Sequence, residues 1–199
     1  MIKNKKISVI GQGFVGLPTT LLLSRLNNKI YGYDKNKKLI NKLNSGNYIK
    51  NINEKEVLKL FKSNMRKRNL SFVSKLVSSD IYIICVPTPL KKNKSIDLKS
   101  IYDSLNEIIK ILKNGDFLVI ESTIAPGTID NVKSYISRKL INLNKRNIKY
   151  SLAYCPERVL PGNTIREIVY NDRIIGGYDS LSSKFGKVLY KKFTKGKIH

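Results

Sequence analysis

Histidine, cysteine and tryptophan are the residues this chain nearly does without: His199 is its one histidine, Cys85 and Cys155 are its two cysteines, and tryptophan is absent. With no CxxC pair and no Cys/His cluster, the ligand set of a structural zinc site is missing, and no metal is expected. Two cysteines that each close an apolar, strand-like run do not make a disulfide framework either. Long apolar runs are also lacking, since nothing reaches the roughly 18 residues that crossing a bilayer requires. The N-terminal MIKNKKISVIGQG sets basic residues before apolar ones. That run is short, broken by glycine and without a small-residue cleavage site, so it reads as mature chain. A soluble, cytoplasmic protein with no membrane partner is expected, and 199 residues suffice for one substantial core.

Acidic residues are scarce as well, 14 against 38 Lys and Arg, which leaves a formal charge of +24. Clustered cations would be the footprint of a phosphate-backbone binder. Here they are mostly lysine, are scattered from Lys3 to Lys197 and travel with abundant Asn and Ile. Specific readers of bases and phosphates lean instead on the rigid donor fork of arginine. No specific nucleic-acid partner is expected, only incidental adhesion to polyanions.

What is present is an alternation of apolar runs and helical spacing. KISVI (Lys6 to Ile10) reads as a strand ended by glycines, and FVGLPTTLLLSRLNN as a helix beginning near Phe14 to Leu17, because Pro18 is tolerated only in a first turn. KIYGYD is a second strand, followed by a helix that stops at Gly46. The segment from Asn51 to Asn64 is a further helix, with Asn53 and Glu56 as a capping box. LSFVS is a weak strand, whereas DIYIICVP is apolar throughout, as a strand buried on both faces should be. A polar loop (Lys91 to Asp97), a helix from about Leu98 to Leu112, the strand FLVIE, the helix GTIDNVKSYISRKL and the strands YSLAYC and RIIGG (Arg173 to Gly177) follow. The last stretch begins as a helix and ends in basic and glycine residues. Strands and helices alternating at this spacing predict an α/β fold, a Rossmann-like, doubly wound parallel sheet in a single domain.

GQGFVG places Gly11, Gly13 and Gly16 between the first strand and helix in the G-x-G-x-x-G pattern of dinucleotide binding. The first glycine allows the tight turn, the second lets the backbone approach a pyrophosphate, and the third permits close packing of helix on strand. Free N–H groups at the helix start favour that anion. Asp34 closes the second strand, where its carboxylate can accept the adenosine ribose hydroxyls, which favours NAD over NADP. Lys35, Lys37 and Lys38 beside it could attract a phosphate, and Asp34 could also simply cap the next helix. Ligands of open parallel sheets bind at the carboxyl ends of the strands. The loops to inspect are therefore VPTP (Val86 to Pro89), ESTIAPGT (Glu121 to Thr128) and CPERVLPG (Cys155 to Gly162), each combining prolines with hydroxyls or charges.

With IGQGFVGLP, CVPTP, ESTIAPGT and CPERVLPGNTIREIVYNDRIIGG in this order, the chain resembles the N-terminal, NAD-binding part of the UDP-sugar 6-dehydrogenases. That family contains UDP-glucose dehydrogenase and the enzymes oxidising UDP-N-acetylhexosamines. The run from Cys155 to Gly177 is most similar to the members that oxidise UDP-N-acetyl-D-mannosamine for bacterial surface polysaccharides such as enterobacterial common antigen. The resemblance implies oxidation of the sugar C6 alcohol to a carboxylate in two NAD-dependent steps, through a thiohemiacetal and a thioester on a cysteine. It puts Gly11, Gly13, Phe14, Val15 and Gly16 on the pyrophosphate turn, Asp34 at the ribose, and Val86 and Thr88 along the cofactor. Thr123 falls near the nicotinamide and reaction centre. Glu157 becomes the group that orients or activates water in the hydrolytic phase, its pKa tuned by burial and by neighbours such as Arg158. Arg158, with Glu157, faces the UDP-sugar substrate.

Cys155 does not match the family's nucleophile, which lies in a glycine-rich segment well downstream. Without a histidine beside them, Cys155 and Cys85 read as small buried residues. The central helices with their lysine and asparagine, the catalytic cysteine and the UDP-gripping domain have no counterpart in residues 1–199. The expectation is an NAD domain truncated relative to its family and inactive alone, whether a fragment, a decayed gene product or half of a split enzyme whose second chain supplies the rest. A homodimer through the central helices is not expected. A UDP-glucose or UDP-N-acetylglucosamine dehydrogenase fragment, a free-standing NAD-binding module and a basic polyanion binder remain the alternatives.

Overall fold

The computed structural model describes residues 2–47, 54–65 and 67–199. Among these residues seven strands form one sheet in the order β3-β2-β1-β4-β5-β6-β7: β1 (Lys6–Ile10), β2 (Lys29–Tyr33), β3 (Leu70–Val73), β4 (Ile81–Ile84), β5 (Phe117–Ile120), β6 (Ser151–Tyr154) and β7 (Gly176–Gly177). The first six run parallel, and β7 pairs antiparallel with β6. Because β1 lies between β2 and β4, the strand order reverses there, which opens the crevice that doubly wound sheets use for ligands.

The apolar runs explain the layers. Along β1, β4 and β5, the residues Ile7, Val9, Ile81, Ile83, Phe117 and Val119 enter one core, and Ile10, Tyr82, Ile84, Leu118 and Ile120 enter the other. Helices α4 (Lys99–Ile111) and α5 (Thr128–Asn142) cover the second face with Ile101, Leu105, Ile108, Val132 and Ile136. On the first face, α1 (Gly16–Leu23) supplies Leu23 and α7 (Ser180–Tyr190) supplies Leu189 and Tyr190. Both faces are therefore covered, as a parallel sheet requires. Helix α2 (Lys37–Asn44) starts where the Asn36 side chain accepts from Leu39 N at 3.2 Å, and α3 (Lys55–Asn64) packs Val57 and Phe61 against Leu17 and Leu21 of α1. Among the described residues, no helix is long and apolar enough to cross a membrane, and no group of three or more His, Cys, Asp or Glu could hold a metal ion.

The structure departs from the sequence reading at one strand and adds a helix. In RIIGG only Gly176 and Gly177 form a strand, and it is antiparallel: Arg173 instead bridges to Ile198, so the last residues fold back as an extra rung. A further helix, α6 (Thr164–Tyr170), stands in the stretch after CPERVLPG, to which the sequence assigned no element. Its seven residues span too few turns for a helical period to emerge from the sequence. Asn53 lies outside the described residues; the N-cap residue of α3 is Glu54, whose side chain does not cap its own helix.

Candidate cofactor site and active-site edge

The glycine turn is built by close approach. Gly11 has φ +90°, donates its N–H to Tyr33 O at 2.8 Å, and would place a Cβ 2.6 Å from the Cys85 carbonyl oxygen. At Gly16 a Cβ would fall 1.8 Å from Gly11 O, so α1 begins in direct contact with the turn that precedes it. Gly13 differs: it is exposed, and no atom lies within 4 Å of where its Cβ would be, which leaves clear space before the start of α1. Phe14 and Val15 flank that space, partly buried. Asp34 locks the turn from the neighbouring strand. Its Oδ2 accepts from Gln12 N and its Oδ1 from Asn36 N, both at 2.9 Å, and each oxygen retains acceptor capacity for a ribose hydroxyl. A cleft of about 780 Å³ opens beside these groups, lined by Gly11, Asp34, Val86 and Pro87 and by Ser104 and Ile109 of α4.

The next two loops are stitched together by Ser122, whose Oγ accepts from Val86 N at 2.9 Å and donates to Val86 O at 2.8 Å. Thr88 is partly buried and Thr123 exposed on these loops. Behind them lies a buried charge cluster. Arg173, 4% exposed, pairs through Nη2 with Glu157 Oε2, while its Nη1 stands 3.9 Å from Glu121 Oε1 and 3.6 Å from Cys155 Sγ. Its guanidinium carbon lies 5.0 Å from the centre of the Tyr190 ring. Tyr190 donates its hydroxyl to Glu121 Oε1 at 2.5 Å, and the Cys85 thiol donates to Glu121 Oε2 at 3.1 Å. Two carboxylates thus share one guanidinium, whose main chain is held in turn by Lys197 O and His199 N. Glu157 Oε1 accepts from Arg158 N at 2.8 Å, and the Arg158 side chain points to solvent.

The electrostatics follow from that geometry. Burial raises the pKa of Glu157 above the usual carboxyl range, against the pull of Arg173 and with a further push from Glu121. Burial alone would lower Arg173, but Glu121 and Glu157 outweigh it and hold the guanidinium charged. The thiols move away from reactivity: burial and then Glu121 push Cys155 up to about 12, and the same two causes raise Cys85 well above the ordinary thiol value.

Over residues 5–194 the chain matches the UDP-glucose/GDP-mannose dehydrogenase family, NAD binding domain. It belongs to that family. UDP-N-acetyl-D-mannosamine dehydrogenase of Methanococcus vannielii is 38% identical over 201 residues, which cover 99% of this chain and 44% of that protein. The solved UDP-N-acetyl-mannosamine dehydrogenase of Staphylococcus aureus superposes with a TM-score of 0.87 at 35% identity, covering 97% of this chain and 46% of the other. The corresponding structure from Pyrococcus horikoshii gives 0.86 at 34%, covering 97% and 46%. The chain spans less than half the length of the curated relatives it matches.

NAD is the cofactor of this family domain, and the residues present fit it: an open approach at Gly13, an anchored carboxylate at Asp34 and a cleft at the reversal of strand order. Of the residues singled out in the sequence, Gly11, Gly13, Gly16 and Asp34 form one constellation, with Val86 on its cleft. Glu157 forms a second with groups that were not singled out. Its charge partner is Arg173 rather than the adjacent Arg158, and Glu121 and Tyr190 complete the cluster. A glutamate at the end of an all-apolar strand, directly before the Ser-Thr pair, was the one sequence signal for Glu121.

Proposed function

We propose that this chain is the NAD-binding half of a UDP-sugar 6-dehydrogenase that oxidises UDP-N-acetyl-D-mannosamine to its uronate for surface polysaccharide synthesis. The observation that carries this reading is the Asp34 carboxylate, held between two backbone amides at the mouth of the cleft beside the open face of Gly13. The relatives named above support the mannosamine sugar over UDP-glucose or UDP-N-acetylglucosamine. Bound NAD supplies the hydride acceptor. Asp34 holds the adenosine ribose, the Gly11 to Gly16 turn receives the pyrophosphate, and Val86, Thr88 and Thr123 line the path toward the reacting carbon. Glu157, with its pKa raised and one oxygen fixed by Arg173, is suited to take a proton from water during hydrolysis of the acyl intermediate, and Arg158 beside it faces the substrate.

Calorimetry tests the cofactor site. The purified chain should bind NAD, bind NADP more weakly, and lose roughly tenfold or more in NAD affinity in Asp34→Ala, the effect of removing a charged acceptor from two hydroxyls. Absence of binding to well-folded protein would overturn the reading. The nucleophile is a separate matter. With both thiols pushed up by burial, neither offers thiolate at neutral pH, so these residues alone should form no NADH from NAD and UDP-N-acetylmannosamine. Turnover by this chain that Cys155→Ala abolishes would show the nucleophile to be here after all.

A further inference from the structure

The loop that carries Glu157 and Arg158 is gripped by a residue more than a hundred positions away. Glu54 sits at the N-cap of α3 with an extended backbone (φ −114°, ψ 124°), the position from which Ser, Thr, Asp or Asn side chains turn back to accept from the helix. It makes no such bond. Both oxygens leave the helix instead: Oε1 accepts from Gly162 N at 2.9 Å and from the Thr164 hydroxyl, and Oε2 accepts from Thr164 N at 2.8 Å. Glu54 is buried, 7% exposed, and the partners of its carboxylate lie 108 and 110 residues along the chain. Charged acceptors with three donors are among the stronger hydrogen-bonding arrangements a protein can make.

The loop needs such a hold. Arg158 and Leu160 to Asn163 are exposed, and the loop lies between the buried Cys155 and the buried Thr164. At its start Glu157 is tied to Arg173, midway Leu160 N donates to Glu167 Oε2 at 2.9 Å, and at its end Glu54 takes Gly162 and Thr164. Glu54 is itself mounted on a firm base. Helix α3 buries Val57 and Phe61 against α1, and Asn64 Nδ2 donates to Leu21 O at 2.8 Å. Helix α1 is the one that begins at the glycine turn, so the clamp joins the cofactor half of the sheet to the loop at its far half.

The geometry points to Glu54 as a positioning residue: its carboxylate fixes Arg158 to Asn163 in the conformation that presents Arg158, and the backbone of Glu157, to a nucleotide-sugar. This inference rests on the reading of that loop as substrate-facing. A displacement of about 1 Å in a positioned group is enough to cost on the order of a hundredfold in rate, which is why such a loop is anchored to rigid elements.

The test is Glu54→Gln in the 199-residue chain, followed by amide hydrogen exchange and by the NMR signals of the Arg173 guanidinium. Glutamine turns an NH2 group toward the loop donors. The expected result is exchange at Gly162 and Thr164 at least about tenfold faster, with accelerated exchange at Arg158 and Leu160 and loss of the slowly exchanging Arg173 signals. Glu54→Asp, which keeps the charge on a shorter stem, should fall between wild type and the glutamine variant. Acceleration confined to Gly162 and Thr164, with Arg158 and Arg173 unmoved, would reduce Glu54 to a bolt between α3 and α6 and overturn the proposal. Collapse of the whole fold in the aspartate variant would overturn it too, by making the residue a general structural one. NAD affinity should be the same in wild type and Glu54→Gln. Failure of the wild-type chain to bind NAD would sink the cofactor reading while leaving the clamp to be decided by the exchange data.

Discussion

Arg173→Met is expected to lower the unfolding midpoint by roughly 6–20 °C, the equivalent of about 3–5 kcal/mol in a domain of this size. The reason is what it leaves behind. Glu121 and Glu157 are 2% and, for the side chain, 9% exposed, and with the guanidinium gone two buried carboxylates face each other with no cation between them. The loss should depend on pH in a definite direction. Glu157 has a folded pKa above the usual carboxyl range, so its contribution to stability is fully present below that range and is lost as pH rises through the folded value. Arg173 is the group that pulls that value down. Without it the folded pKa of Glu157 rises further, so the stability difference between wild type and variant should be smallest in acid and widen as Glu157 ionises. Thermal melts across the acid to neutral range read this directly. A deficit that is the same at every pH would mean that Arg173 acts only by filling space. Arg173→Lys, which keeps the charge but not the fork, should fall between the two.

The contrast between the two constellations explains what a sequence can disclose. The cofactor half was legible because its causes are local. Glycines must stand where a turn is tight, an acid ends the second strand, and strands buried on both faces read as unbroken apolar runs such as IYII. The charge cluster was not, because its logic is pairwise and long-range. Glu157 meets Arg173 across 16 residues, Cys85 meets Glu121 across 36, and Tyr190 meets Glu121 across 69. Nothing in RIIGG distinguishes an arginine at a solvent-exposed strand start from one buried between two carboxylates. The proximity of Arg158 to Glu157 in sequence suggested the wrong partner, since adjacent residues on an extended loop point to opposite sides. The same holds for Glu54, which reads as one more charge on a basic helix until the chain returns to it through Gly162 and Thr164.

Gly16→Ala and Gly13→Ala should fail in different ways, and the difference locates the pyrophosphate. At Gly16 the added methyl would stand 1.8 Å from the carbonyl oxygen of Gly11 and 3.2 Å from Cys85 Cβ. The first of these is backbone, so no side chain can swing away, and α1 must move off the turn. Forced overpacking of this kind costs about 1–3 kcal/mol, and here it also displaces the helix start proposed to receive the pyrophosphate. Gly16→Ala is therefore expected to lose stability and NAD affinity together, the latter by tenfold or more, since about 1.4 kcal/mol of misalignment suffices for that. At Gly13 the methyl meets nothing within 4 Å. Gly13→Ala should keep the wild-type melting point to within about 0.5 kcal/mol, as substitutions without a steric conflict do. Yet it should weaken NAD binding if, as proposed, the space it fills is where the pyrophosphate approaches. Melting curves and calorimetry on the pair separate the roles: an unchanged NAD affinity in Gly13→Ala would place the pyrophosphate elsewhere, and a Gly16→Ala protein as stable as wild type would mean that α1 can pivot without strain on its turn.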